Sequence, residues 1–103
     1  MALVHEVLEG PQQQHSDEVL PYAIDVSEIT STAASPVVTV YDEDGEDVTT
    51  DVLPTNSPIA AGGTVTTSPI RNLEAGKRYR VEVAFTDGTT TTYVGVLRLE
   101  CIV

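Results

Sequence analysis

The clearest alternation in the chain is Arg78-Tyr79-Arg80-Val81-Glu82-Val83-Ala84-Phe85-Thr86. Tyr79, Val81, Val83 and Phe85 share one parity; Arg78, Arg80 and Glu82 share the other. Period two, apolar against charged, predicts a half-buried strand. Helical spacing would mix the two sets. Leu73-Glu74-Ala75-Gly76 reads as the turn that enters this strand, and Asp87-Gly88 as a tight hairpin that leaves it.

Weaker patterns of the same kind precede it. Leu20, Tyr22, Ile24 and Val26 fall on one face, with Pro21 where an edge strand tolerates it. Residues 27–36 read as a loop, with Ile29 as a plug for the sandwich end. Residues 37–41 predict the next strand, 42–47 a turn, and 48–53 a strand pairing back. A loop at 54–58 and a short strand at 64–67, after Gly62-Gly63, follow. Residues 89–103 predict a long last strand, bulged near Gly95. The expected core is Tyr22, Ile24, Val38, Val40, Val65, Tyr79, Val81, Val83, Phe85, Leu97 and Leu99.

The start of the chain breaks the pattern. Leu3, Val4, Val7 and Leu8 are apolar, and Gly10-Pro11-Gln12-Gln13-Gln14-His15-Ser16-Asp17 is polar and structure-breaking. This predicts residues 1–18 as an N-terminal arm, a sticky segment on a tether, and 19–103 as one antiparallel β-sandwich. Leu3, Val4, Val7 and Leu8 are then the candidate partner-binding residues. The alternative is that residues 3–8 are the first strand of the sandwich.

Composition narrows the reading. A chain of 103 residues has room for one core. Its apolar share of 41% is mostly aliphatic, with no Trp. The formal net charge is −11, from 16 acidic and 5 basic residues. The basic ones, Arg71, Lys77, Arg78, Arg80 and Arg98, all lie in the C-terminal third. Such a field repels phosphates and anionic membrane surfaces, so neither nucleic acid nor membrane is an expected partner. A single Cys101 allows no internal disulfide, against the habit of small secreted domains. The first residues carry no positive n-region and do not read as a signal peptide, and no run is long enough to span a bilayer. The expectation is a complete gene product made in a cytoplasm.

Candidate chemistry is sparse. Asp42-Glu43-Asp44-Gly45-Glu46-Asp47 offers carboxylates to a hard cation, but its spacing is not that of a calcium loop, and a hairpin turn explains it better. His5 and His15 have no second ligand at metal spacing. Cys101 shares a face with Leu97 and Leu99 and reads as a buried thiol rather than a nucleophile. Thr89 to Thr92 suit either an exposed edge for strand addition or plain strand propensity. No catalytic set can be assembled, and no cofactor or metal is expected.

The Tyr preceding the alternating valines resembles the tyrosine corner of immunoglobulin-like (Ig-like) sandwiches, which predicts a bond from the Tyr79 hydroxyl to the backbone near Leu73 or Glu74. Taken with Tyr22-Ala23-Ile24-Asp25-Val26-Ser27, Val38-Thr39-Val40 and the Gly-Thr-Thr after Asp87, the chain resembles small tailed-bacteriophage virion proteins with one Ig-like domain, of the fibre–tail adaptor or neck type. The paired Trp residues associated with such adaptors are absent. The resemblance implies an all-β, Ig-like antiparallel sandwich without enzymatic activity. Its implied role is to dock between virion components (portal or neck, tail or capsid) in a symmetric multi-copy assembly. An extracellular adhesin or carbohydrate-binding module of the same fold is the alternative, and a calcium-dependent module a third reading.

Overall fold

The strand written most plainly in the sequence is the central one. A computed structural model describes the backbone of residues 2–6 and all atoms of 12–89 and 91–103. In it β7 (Arg78–Thr86) lies between β4 (Ala34–Asp42) and β8 (Thr92–Ile102), antiparallel to both. Its Tyr79, Val81, Val83 and Phe85 are buried, and Arg78 and Arg80 are exposed. The far edge of β8 takes two further strands in parallel. These are β1 (Ala2–Glu6), from Ala2 opposite Thr92 to Glu6 opposite Val96, and β2 (Gln12–His15), from Gln12 opposite Leu99 to His15 opposite Ile102.

A second, antiparallel sheet has the order β3 (Ala23–Asp25), β6 (Thr64–Thr66), β5 (Ile59–Ala61). The chain is thus an all-β sandwich. Strands β3, β6 and β5 against β4, β7 and β8 reproduce the Ig-like division, with the first strand on the β8 side. Every expected core residue except Tyr22 is buried; Tyr22 is half-buried and packs against the cluster. Val26, Val52, Leu53, Ile70, Leu73 and Cys101 join them. No helix among the described residues is long and apolar enough to cross a membrane.

Several local expectations are corrected. Gln12 to His15, read as tether, form β2, because their backbone completes the ladder of β8. Residues 48–53 do not form a strand. Thr49 Oγ1 accepts the Val40 N–H at 2.9 Å, which occupies the ladder position a strand would need. The chain turns instead into a short helix, α1 (Thr49–Val52), and Val52 and Leu53 enter the core. β5 was not expected; Gly62 and Gly63 join it to β6 as a two-residue turn, since Ala61 pairs with Thr64. A Cβ on Gly63 would lie 2.8 Å from Ser27 Cβ, so this close approach requires glycine.

The last hairpin is wider than Asp87-Gly88 alone. Thr86 pairs with Thr92, and residues 87–89 and 91 lie outside both strands. Thr89 and Thr91 therefore lie in a turn rather than on a strand edge; Thr90 is outside the described residues. The ladder runs through Gly95 without a register shift. The irregularity is in β4, between Ala34 and Val37, where Ser35 has φ 51°.

Candidate docking face

Strand register builds the site. The outward residues of β4, β7 and β8 line up in rows across the sheet: Val37–Ala84–Val94, then Thr39–Glu82–Val96, then Tyr41–Arg80–Arg98, and finally Arg78–Glu100. The face therefore grades from apolar to basic. Val37 is 59% exposed although it is a large hydrophobe. Arg78, Arg80 and Arg98 are all exposed.

Arg80 is held in place by two contacts. The Arg80 guanidinium lies over the Tyr41 ring, 5.0 Å from its centroid, and its Nε meets Glu82 Oε2 at 2.9 Å. The Arg78 backbone N–H donates to Glu43 Oε1 at 3.1 Å. Between these groups and the 42–47 turn is a depression of 480 Å³ lined by Asp42, Glu43, Gly45, Arg78, Tyr79, Arg80, Arg98, Leu99 and Glu100. Its charged lining is balanced, three arginines against three carboxylates, on a chain of net charge −11. Arg80 directly opposite Arg98 is a like-charge cross-strand pair, which opposes sheet stability.

The outer edge of β4 is closed to a further strand. Asn56 donates its side-chain N–H to Val38 O at 2.9 Å, Val48 N–H donates to Val40 O, and Asp42 N–H donates to Glu46 O. Thr49 takes the Val40 N–H. A partner meets this side of the molecule on its face, not by extending its ladder.

The acidic turn uses its carboxylates locally. Asp42 Oδ1 accepts the N–H groups of Asp44 and Glu46 at 2.9 and 3.0 Å, and Gly45 takes φ 84°. Asp47 accepts from the Thr49 hydroxyl and N–H, which hold its carboxyl below the usual carboxylate range. Among the described residues no cluster of three His, Cys, Asp or Glu groups is placed to hold a metal. Cys101 is buried, and burial pushes its thiol up, away from the reactive thiolate. The His15 N–H donates to the Glu18 carboxylate at 2.7 Å, and its side chain is exposed; His5 lies in β1 opposite Gly95.

Of the candidate partner-binding residues, Leu3 and Val4 lie in β1, with backbones opposite Tyr93 and Val94. Val7 and Leu8 are outside the described residues. Sequence reasoning missed the basic row. Parity alone put Arg78 and Arg80 outward, but Arg98 joins them only through the β7–β8 register. No protein-family model matches the chain, and no curated protein matches it.

Proposed function

We propose that the chain is a structural virion protein of a tailed bacteriophage, docking between virion components as a neck or tail connector, a fibre adaptor or a capsid decoration. The observation that carries this reading is the graded outer face of β4, β7 and β8. It has an apolar end, where Val37 is exposed, and a charge-balanced end, where Arg78, Arg80 and Arg98 are exposed, on a small sandwich. Apolar area flanked by polar groups is the composition of a protein-binding surface. The placement of the polar groups fits an adhesive role: Asp42 and Asp47 satisfy backbone in and beside the 42–47 turn, and the one thiol is buried. In this reading β1 carries Leu3 and Val4 at the opposite edge of the sheet, where a neighbouring subunit can meet them.

The test is the composition of purified particles together with the genes on either side of this one. The chain should be found in virions by mass spectrometry, and capsid, portal or tail genes should flank it. Its absence from particles, or neighbours that encode secretion or polysaccharide breakdown, would overturn the proposal.

A further inference from the structure

We propose that β1 is exchanged between copies, so that the Thr92–Val96 edge of β8 takes β1 of a second copy in place of its own. The inference names the neighbour that meets β1 in the functional proposal. It rests on that proposal for the use of the contact and not for the contact itself.

The two N-terminal strands are held unequally. β2 is fixed within its own chain, because the Gln14 side chain is fully buried, donates to Ile70 O at 2.7 Å and accepts the Tyr22 hydroxyl at 2.7 Å. The ladder of β1 runs to β8 alone. An identical strand in the same place reproduces every backbone bond of that ladder, so exchange costs association entropy rather than contacts.

The connection decides where β1 goes. Glu6 lies opposite Val96 and Gln12 opposite Leu99, so five residues, 7–11, join strands whose partners on β8 are separated by two, Leu97 and Arg98. Three residues are surplus to a continuous edge. Staying on its own β8 confines this connection to about 10 Å, the length of three strand residues. Drawn out, it reaches about 20 Å. Pro11 fixes its own φ and disfavours helical backbone at Gly10, so the sequence of the connection favours the longer path. That reach is several times the strand spacing of about 4.8 Å, and it carries β1 to the β8 of a copy placed edge to edge.

Charge admits such a neighbour at this edge. A chain of net charge −11 repels its copy over most of its surface. The ten residues paired between β1 and β8 hold one formal charge, Glu6. On the other side of the sheet the edge of β4 is closed, so edge-to-edge approach belongs to the β1 side. A two-fold pair returns the strand and a ring passes it to the next copy; both fill every β8. Co-assembly of many copies raises the effective concentration and so the extent of exchange.

A disulfide trap reads the exchange directly. In a Cys101→Ala background, Val4→Cys and Val94→Cys place two thiols on residues opposed in the ladder, within the separation that a disulfide spans. Equal parts of isotope-heavy and isotope-light chain are equilibrated by mild warming, then oxidised at about 10 μM and at about 1 mM, in about 0.15 M salt so that long-range repulsion is screened. Bridges joining a heavy to a light peptide are expected, and they should rise with concentration by mass action. Deleting residues 9–11 leaves residues 7 and 8 opposite Leu97 and Arg98, so that chain should stay folded and lose the mixed bridges. Ala2→Cys with Thr92→Cys, the opposed pair at the start of the ladder, repeats the trap should the first pair fail to fold. Like-labelled bridges alone at both concentrations overturn the proposal. So do mixed bridges undiminished by the deletion, which would mark chance collision of exposed thiols. A chain that exchanges β1 but is absent from virions removes the functional proposal alone, and a virion protein with like-labelled bridges alone removes only this one.

Discussion

Strands β7 and β2 flank β8 in the same sheet and are held there by different physics. In β7 every second side chain is apolar and buried, and the pattern alone specifies which face turns inward. β2 is Gln-Gln-Gln-His, without an apolar residue. Yet Gln14 is fully buried. Its Nε2 donates to Ile70 O at 2.7 Å and to Glu18 O at 3.0 Å, and its Oε1 accepts the Tyr22 hydroxyl at 2.7 Å. One amide thus ties the first sheet to the segment where Leu20 and Ile70 exchange backbone bonds. Hydropathy decides the place of β7. Complete hydrogen-bond satisfaction permits the place of β2.

The harshest test of that contrast is in β7. Phe85→Ala removes a ring that is fully buried and stacked on Tyr93 with centroids 5.8 Å apart. It should cost about 3–5 kcal/mol in urea unfolding, from lost transfer energy and the cavity left behind. A near-neutral result would mean that the alternation does not define the core.

Gln14→Leu keeps the volume and discards the bonds. Ile70 O loses its side-chain donor and the Tyr22 hydroxyl its acceptor, so a loss of about 1–3 kcal/mol is expected. Deleting residues 1–16 removes the clamp with both N-terminal strands and should cost at least as much as Gln14→Leu. An unchanged urea midpoint for either variant would make β2 a passive tether after all.

This contrast also marks what was legible. The Leu-x-x-Gly-x-x-Tyr corner was readable because its geometry is local: Tyr79 Oη accepts the Glu74 N–H at 2.9 Å, as expected. β2 was not, because the partners of Gln14 include Ile70, distant in sequence. The 48–53 segment was misread because Thr49 replaces a ladder bond with its hydroxyl. The last hairpin could have been read better. A two-residue turn over Asp87 and Gly88 would set Val81 against Val94 and turn Leu97 and Leu99 outward. The observed loop sets Val81 opposite Leu97, which the aliphatic pattern itself requires. That register is also what brings Arg98 beside Arg80.

The corner sharpens the comparison further, since it is a buried polar device on the strand that hydropathy governs. Tyr79→Phe leaves the ring in place and the Glu74 N–H without its acceptor. The expected loss is about 0.5–1.5 kcal/mol, the net value of one hydrogen bond. An unfolding midpoint equal to that of the native chain would reduce the corner to packing. A loss larger than that of Gln14→Leu would reverse the ranking of the two devices.

The smallest effect is a pH dependence that belongs to the clamp. Burial first, and the neighbouring Glu18 carboxylate second, raise the Tyr22 hydroxyl from 10.0 to about 12. The folded chain therefore keeps this proton over a range in which the unfolded chain has lost it. Fewer protons bound in the unfolded state means that stability falls as pH rises. The contribution is fully present below pH 10 and is lost as pH climbs towards 12. Burial also raises Tyr79, and the whole chain becomes more negative, so the raw slope mixes several groups. Comparing the native chain with Tyr22→Phe isolates one of them. Urea midpoints taken at about pH 8 and about pH 11 should fall further for the native chain than for Tyr22→Phe. Equal slopes would mean that the Tyr22 hydroxyl ionises as freely in the folded chain as in the unfolded one, and that its bond to Gln14 does not keep the proton in place.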